Sequence, residues 1–337
     1  MSITAKQLAD KLGLSEATVS LALNQRPGVS TETRKQVIDT ALENGFDFSK
    51  LIEKHRIHGI ICFIYYHRTR NQRIYEPIYE QIINGARTAA ALHGFIIQVV
   101  NYVESEESTE DLSQKLKAFS CDCIILFATM ISSDSCKKIL SLQYPAVIVD
   151  TYFESIASNY VTINNSYGTY HAASYLLNKY QSQPGFINAG IARYNFSGRF
   201  EGYQHALAEN GLTYTNSIIH TISPFSNTQG ISTDMLRIID NGAYLARSYV
   251  AENDFLALGA VNALRSRKIR VPEDIAIIGF DDIIAETSSR LELSTVHVPF
   301  SKLGSAAVIT AKNITEDPSL KYLKIEVCPE LIIRHSC

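Results

Sequence analysis

From His58 onward the chain alternates short apolar runs with longer stretches in which apolar residues recur every three or four positions. GIICFIYY, FIIQVVNY, CIILFA and AVIVD are runs suited to strands buried on both faces. Between them lie helical patterns from about Pro77 to His93, Thr109 to Phe119 and near Cys136 to Leu142. A second series begins at Tyr160 with YVTINN and continues through GFINAG, IIHTI, SYVAE and IAIIGF. Its intervening helices are expected at Tyr167 to Lys179, Gly198 to Asn210, near Gln229 to Asp240 and at Phe255 to Arg265. Parallel strands need helical crossovers, so this pattern predicts an α/β core of two doubly wound parallel sheets. No GxGxxG turn follows the first strand, which removes the main signature of a dinucleotide-binding enzyme.

The first 47 residues follow a different rule. Thr4 and Gln7 form a capping box, Leu8, Ala9 and Leu12 share one helical face, and Gly13 supplies the left-handed corner that ends the helix. Ser15 caps a second helix running to about Asn24. Ala9, Gly13 and Val19 have the small, turn and plug characters that a helix-turn-helix requires at that spacing. After QRPG, Ser30 caps a third helix, TETRKQVIDTALENG, whose Val37, Ile38, Ala41 and Leu42 would cover the other two. A small helical bundle without a nucleic-acid partner is the alternative reading of this pattern. Ser15, Glu16, Ala17, Ser20 and Leu21 face outward along the second helix, where such a motif meets base edges.

Charge and cysteine content narrow the setting. The 337 residues carry a formal charge of −3, and residues 1 to 56 hold eight Lys/Arg against seven Asp/Glu. Phosphate contacts must therefore come from a few placed groups and helix N-termini rather than a broad basic surface. No apolar run approaches the roughly 20 residues of a membrane span, and the N-terminus lacks a secretory apolar region, so a cytoplasmic protein is expected. Cys121 and Cys123 are not at zinc-finger spacing. With Cys62, Cys136, Cys328 and Cys337 they read as reduced packing residues, and neither a metal nor a cofactor is expected.

ATVSLALN, VSTETRKQV, VPEDIAIIGFDD (Val271 to Asp282), LSTV (Leu293 to Val296) and PELIIRHS, in that order, resemble the signatures of the LacI/GalR (lac-repressor) family of bacterial transcription regulators. The resemblance implies a headpiece at 1–47, a linker at 48–57 and a periplasmic-binding-protein-like core at 58–337. It places the first lobe at about 58–160 and 293–322 and the second at about 161–291 and 324–337. The chain would cross between lobes near Tyr160, Leu291 to Thr295 and Lys321 to Glu326. It further implies an effector between the lobes, with Arg199, Asn253 and Asp281 at effector-binding positions. Asp150 would close the other side, and Tyr79 and Phe127 would serve as pocket walls. One guanidinium, two carboxylates and an amide offer paired donors and acceptors, which suits a sugar or sugar derivative. Asn253 could equally be a helix cap, Arg199 a solvated surface charge, Asp150 or Asp281 a turn residue, and Tyr79 and Phe127 core.

Two departures from the family matter. Leu21 stands where many members carry an arginine, so a different operator half-site is expected. Glu16, Ala17 and Leu21 would read bases, while Thr4, Ser15, Thr18, Ser20, Asn24, Ser30 and Thr33 would grip phosphates. The run from Phe46 to His55 lacks the family's proline, asparagine, alanine and minor-groove leucine, so no leucine wedge between base steps is expected. The chain ends directly after RHS without a heptad segment, which predicts a homodimer. The expected function is a non-enzymatic repressor of double-stranded operator DNA under small-molecule control. A nucleoside or protein co-effector, a solute-binding protein and an enzyme on this scaffold are the rivals.

Overall fold

A computed structural model describes residues 3–23, 28–44, 46, 58–70, 76–222, 228–283, 292–320 and 322–337. The headpiece is α1 (Ala5–Leu12), α2 (Glu16–Leu23) and α3 (Thr31–Glu43). Thr4 and Gln7 close the capping box in both directions, and Gly13 sits at φ 64° with its N–H returning to the carbonyls of Ala9 and Asp10. Only a residue without Cβ takes that corner without strain. Leu8, Ala9, Val19, Ala22, Leu23, Val37 and Ala41 are buried together, so Val19 is the plug between helices that the spacing predicts. Arg34 Nη1 donates to the carbonyls of Leu21 and Ala22, both at 3.3 Å, and thereby caps the C-terminal end of α2. Asn24 and the linker at 48–57 lie outside the described residues, as does the expected absence of a leucine wedge.

The first lobe is a six-stranded sheet ordered β11-β5-β4-β3-β1-β2, from β1 (Gly59–His67), β2 (Phe95–Val103), β3 (Cys123–Phe127), β4 (Ala146–Val149), β5 (Asn159–Ile163) and β11 (Lys324–Val327). Its strand pairs are all parallel. The connecting helices are α4 (Glu76–Leu92), α5 (Thr109–Ala118) and α6 (Ser133–Leu140). β3 and β4 are buried along their whole length, as strands covered on both faces must be.

The second sheet runs β12-β10-β9-β8-β6-β7, from β6 (Gly185–Asn188), β7 (Ile219–Thr221), β8 (Ser248–Ala251), β9 (Ala276–Asp281), β10 (Ser294–His297) and β12 (Glu330–Ile332). Its helices are α7 (Asn165–Tyr180), α8 (Tyr194–Glu209), α9 (Thr228–Asp240) and α10 (Asp254–Ser266). Among the described residues only the β10–β12 pair is antiparallel. A helix not anticipated from the sequence, α11 (Phe300–Glu316), packs on α4 of the first lobe.

Lobe boundaries differ from those expected. β10 pairs with β9 of the second sheet and β11 with β5 of the first, so 294–297 belongs to the second lobe and 324–327 to the first. The chain therefore changes lobes just after β5, between β10 and α11, and between β11 and β12. Backbone pairing decides this, and family spacing could not resolve it to a few residues. Among the described residues no helix is long and apolar enough to cross a membrane.

Candidate functional site: the cleft between the lobes

Strand C-termini of both sheets face one cleft of about 2250 Å³, walled by Thr129, Tyr152, Arg193, Tyr194, Ser197 and Lys324 among others. It exceeds the roughly 300–1,000 Å³ that encloses a small ligand, and its walls come from different lobes. α8 carries much of one wall and lies tight against α7. A Cβ at Gly202 would sit 2.1 Å from the Ser166 carbonyl oxygen, so glycine there sets how closely the helix approaches.

Beneath the cleft a buried polar chain joins the lobes. Thr129 Oγ1 donates to Asp150 Oδ2 at 2.6 Å, and Asn195 Nδ2 donates to Asp150 Oδ1 at 2.9 Å. Asn165 Nδ2 donates to Asn195 Oδ1 at 3.0 Å, and Arg199 Nε to Asn165 Oδ1 at 2.9 Å. Arg199 Nη2 donates to Asp281 Oδ1 at 2.8 Å, Nη1 donates to the Glu252 carbonyl oxygen, and the guanidinium lies 3.8 Å over the Phe280 ring. Glu252 Oε2 accepts the Ala189 N–H at 2.7 Å. Every member is tied down by at least one other, so a network costly to bury is satisfied internally.

Asp150 and Asp281 end their strands at φ 69° and 103°, left-handed values unusual for non-glycine residues and typical of places where structure serves a site. Burial pushes the Asp150 carboxyl up to about 6, against hydrogen bonds from Thr129 and Asn195 and the Arg199 charge. Burial likewise lifts Glu252 to about 7, against the Ala189 N–H and the charges of Arg199 and Arg193. It also raises Asp281, against Arg199.

The six effector positions implied by the sequence thus fall into three groups. Arg199 and Asp281 come together, but as a buried pair exposing 4% and 12% of their side chains. Asn253 caps α10, its Oδ1 accepting the Leu256 N–H at 2.9 Å, and Asp150 anchors the interlobe chain. Tyr79 and Phe127 join Tyr65 in an aromatic cluster, with Tyr79 stacked 4.0 Å from Tyr65 and Phe127 5.8 Å from it. None of the six is among the residues that wall the cleft.

The walls hold groups the sequence reading passed over. Arg193 precedes α8 in the half-buried wall, 5.6 Å over the Phe196 ring, with burial lowering its pKa. Tyr152 and Tyr194 approach to 5.6 Å from opposite lobes, and Lys324 lies 4.3 Å over Tyr152 while pairing with Glu326 at 3.0 Å. One signal was available. Arg193 follows the C-terminal end of GFINAG, the end at which open α/β sheets present ligand-binding groups. Among the described residues no group of three or more His, Cys, Asp or Glu side chains is placed to hold a metal ion.

On the headpiece, Glu16, Ala17 and Ser20 are exposed on α2, with Leu21 and Thr18 half-buried. Ser15 and Thr18 hydroxyls lie 2.8 Å apart, and those of Ser30 and Thr33 2.9 Å apart, at the N-termini of α2 and α3. Thr4 occupies the matching place on α1. Three capped helix N-termini thus present hydroxyls and orphan N–H groups, which is the chemistry that holds phosphate oxygens.

Comparison with known proteins agrees with this architecture. A periplasmic binding protein-like domain model matches residues 183–337. The HTH-type transcriptional regulator RegA of Clostridium saccharobutylicum is 27% identical over 344 residues, covering 100% of this chain and 99% of RegA. The structure of the transcriptional regulator CelR–cellobiose complex superposes with TM-score 0.71 at 22% identity, covering 99% of this chain and 100% of that one. The lac repressor dimer bound to operator and the anti-inducer ONPF gives 0.66 at 19% identity, over 100% and 99% of the two chains. Headpiece, two-lobed core and similarity along the full length make the chain similar to the helix-turn-helix transcriptional regulators of the LacI/GalR family.

Proposed function

We propose that this protein is a sequence-specific DNA-binding repressor whose operator affinity is set by a small polyhydroxylated molecule, a sugar or sugar derivative, held between the lobes. The observation that carries this reading is the presence in one chain of a helix-turn-helix corner with an exposed reading face and a polar cleft whose walls belong to different lobes. The cellobiose complex and the operator-bound dimer among the structural neighbours support each half. Glu16, Ala17 and Leu21 read bases; Thr4, Ser15, Thr18, Ser20, Asn24, Ser30 and Thr33 engage phosphates. The protein works as a cytoplasmic homodimer, which presents two headpieces to two half-sites about 34–36 Å apart or a multiple of that.

Arg193, Tyr152, Tyr194 and Thr129 contact the effector directly: guanidinium and hydroxyls bond its hydroxyl groups and the tyrosine rings cover its apolar faces. Arg199, Asp281, Asn165 and Asp150 hold those walls in place from below. A ligand touching both walls favours one relation of the lobes, and the first lobes, paired in the dimer, pass this to the headpieces. Coupling of about 1–3 kcal/mol is typical of such linkage and acts equally in both directions. Selection from a random duplex library with the full-length protein tests the DNA half. A two-fold-related enriched sequence is expected, and a pool no different from the input would overturn it.

A further inference from the structure

Lys324 stands over two aromatic rings in the cleft wall, and the rings belong to different lobes. Its ammonium lies 4.3 Å from the ring centre of Tyr152 in the first lobe and 5.6 Å from that of Tyr194, the first residue of α8 in the second. The two rings approach each other to 5.6 Å at an interplanar angle of 56°. A cation so placed is attracted by the negative faces of both.

The first-lobe half of this contact is built into the sheet. Tyr160 donates its hydroxyl to the Ile156 carbonyl oxygen at 2.8 Å, which fixes the loop after β4, and its ring packs T-shaped against Tyr152 at 4.8 Å. The β11–β5 register sets Lys324 opposite Tyr160, so strand pairing delivers the ammonium to the Tyr152 ring. Glu326, two residues on, projects from the same face of β11. It pairs with Lys324 at 3.0 Å and accepts the Tyr194 hydroxyl at 3.5 Å. Lys324 can therefore leave the rings without losing its carboxylate. With 38% of its side chain exposed, it is a loosely held occupant of two rings that line the cleft.

A sugar stacks through the apolar face of its ring, and that face needs the tyrosine surface over which the ammonium lies. We propose that Lys324 is an affinity-setting residue of the cleft, a resident cation that a bound sugar must push off Tyr152 and Tyr194. This rests on the reading of the cleft as a sugar site. The displacement has a second effect, because Lys324 and Glu326 tie Tyr194 to β11, the strand after which the chain crosses into the second lobe at β12. Moving the ammonium off Tyr194 removes one tie between α8 and the first lobe, so occupancy of the cleft is felt at the crossing.

Two measurements on the full-length protein test this. Reductive methylation with carbon-13 formaldehyde turns each lysine into a charged dimethylammonium visible by nuclear magnetic resonance. The Lys324 signal, identified by its absence from Lys324→Arg, should be shifted upfield by the rings and should return toward the common lysine position when a saccharide binds. In a calorimetric panel of neutral mono- and disaccharides, Lys324→Met should bind about 2- to 5-fold tighter than the wild type. Lys324→Arg, whose guanidinium still stacks on tyrosine, should stay near the wild-type value. A lysine with a merely structural role would not tighten binding on removal. A Lys324 signal at the common position, a signal that a bound saccharide leaves unmoved, or equal or weaker binding by Lys324→Met would overturn the proposal. Circular dichroism checks that both variants fold, and the wild-type signal decides if Lys324→Met does not. Where a saccharide still binds, these results leave the sugar reading standing; if none binds either protein, that reading falls and the displacement falls with it.

Discussion

Arg199 occupies the position at which the sequence implies effector contact, yet its guanidinium is spent inside the protein, and replacing it with alanine separates the two roles. The substitution strips Asp281 of its 2.8 Å partner and leaves the Glu252 carbonyl oxygen and Asn165 Oδ1 without their donor. With only 12% of the Asp281 side chain exposed, water cannot replace the lost charge. Breaking a buried pair from one side costs about 3–5 kcal/mol. At about 2–4 °C per kcal/mol for a unit of roughly 150–250 residues, the melting temperature should fall by roughly 6–20 °C without any ligand. Adding Asp281→Asn to Arg199→Ala should recover part of the loss, because a neutral amide no longer needs the cation. Thermal unfolding followed by circular dichroism reads all three proteins. A ligand-free Arg199→Ala melting within about 2 °C of the wild type would refute the strut role.

Arg193→Ala should do the reverse: melting stays near the wild-type value, while the stabilisation that a bound sugar gives in a thermal-shift screen is lost. Equal stabilisation in the variant would remove Arg193 from the effector contacts. Glu252 titrates at about 7 in the folded protein and near 4.5 unfolded, so between those values the folded form keeps a proton that the unfolded chain has released. Stability should therefore fall as pH rises through that window, and Glu252→Gln, which keeps an acceptor for the Ala189 N–H, should flatten the slope to the part due to Asp150, Asp254 and Asp281, whose carboxyls burial also raises; an undiminished slope in urea titrations speaks against the assignment. Leu21→Arg should shift the selected half-site toward guanine by about 1–3 kcal/mol of discrimination, and an unchanged selected sequence would take Leu21 off the reading face.

Local chemistry made the headpiece legible. Thr4 with Gln7, Gly13 and Val19 each act within a few residues, and each does in the structure what its spacing implies. The strands were legible for a related reason, since a strand covered on both faces has to be apolar throughout. Lobe boundaries were less so, because β10 and β11 are short and only their pairing partners decide which sheet they join. The cleft walls were least legible. Arg199 meets Asp281 across 82 positions and Asn195 meets Asp150 across 45, separations over which no periodicity operates. Two arginines six positions apart, Arg193 and Arg199, therefore look equally eligible, and only burial tells the cleft wall from the strut.

The most direct measurement is a fluorescence-anisotropy titration of a selected duplex with full-length protein, with and without a saturating sugar found by thermal shift. A midpoint displaced by about 5- to 150-fold is predicted, with the displacement lost in Arg193→Ala while ligand-free binding persists. Identical midpoints with and without the bound sugar would contradict the coupling of headpiece to cleft.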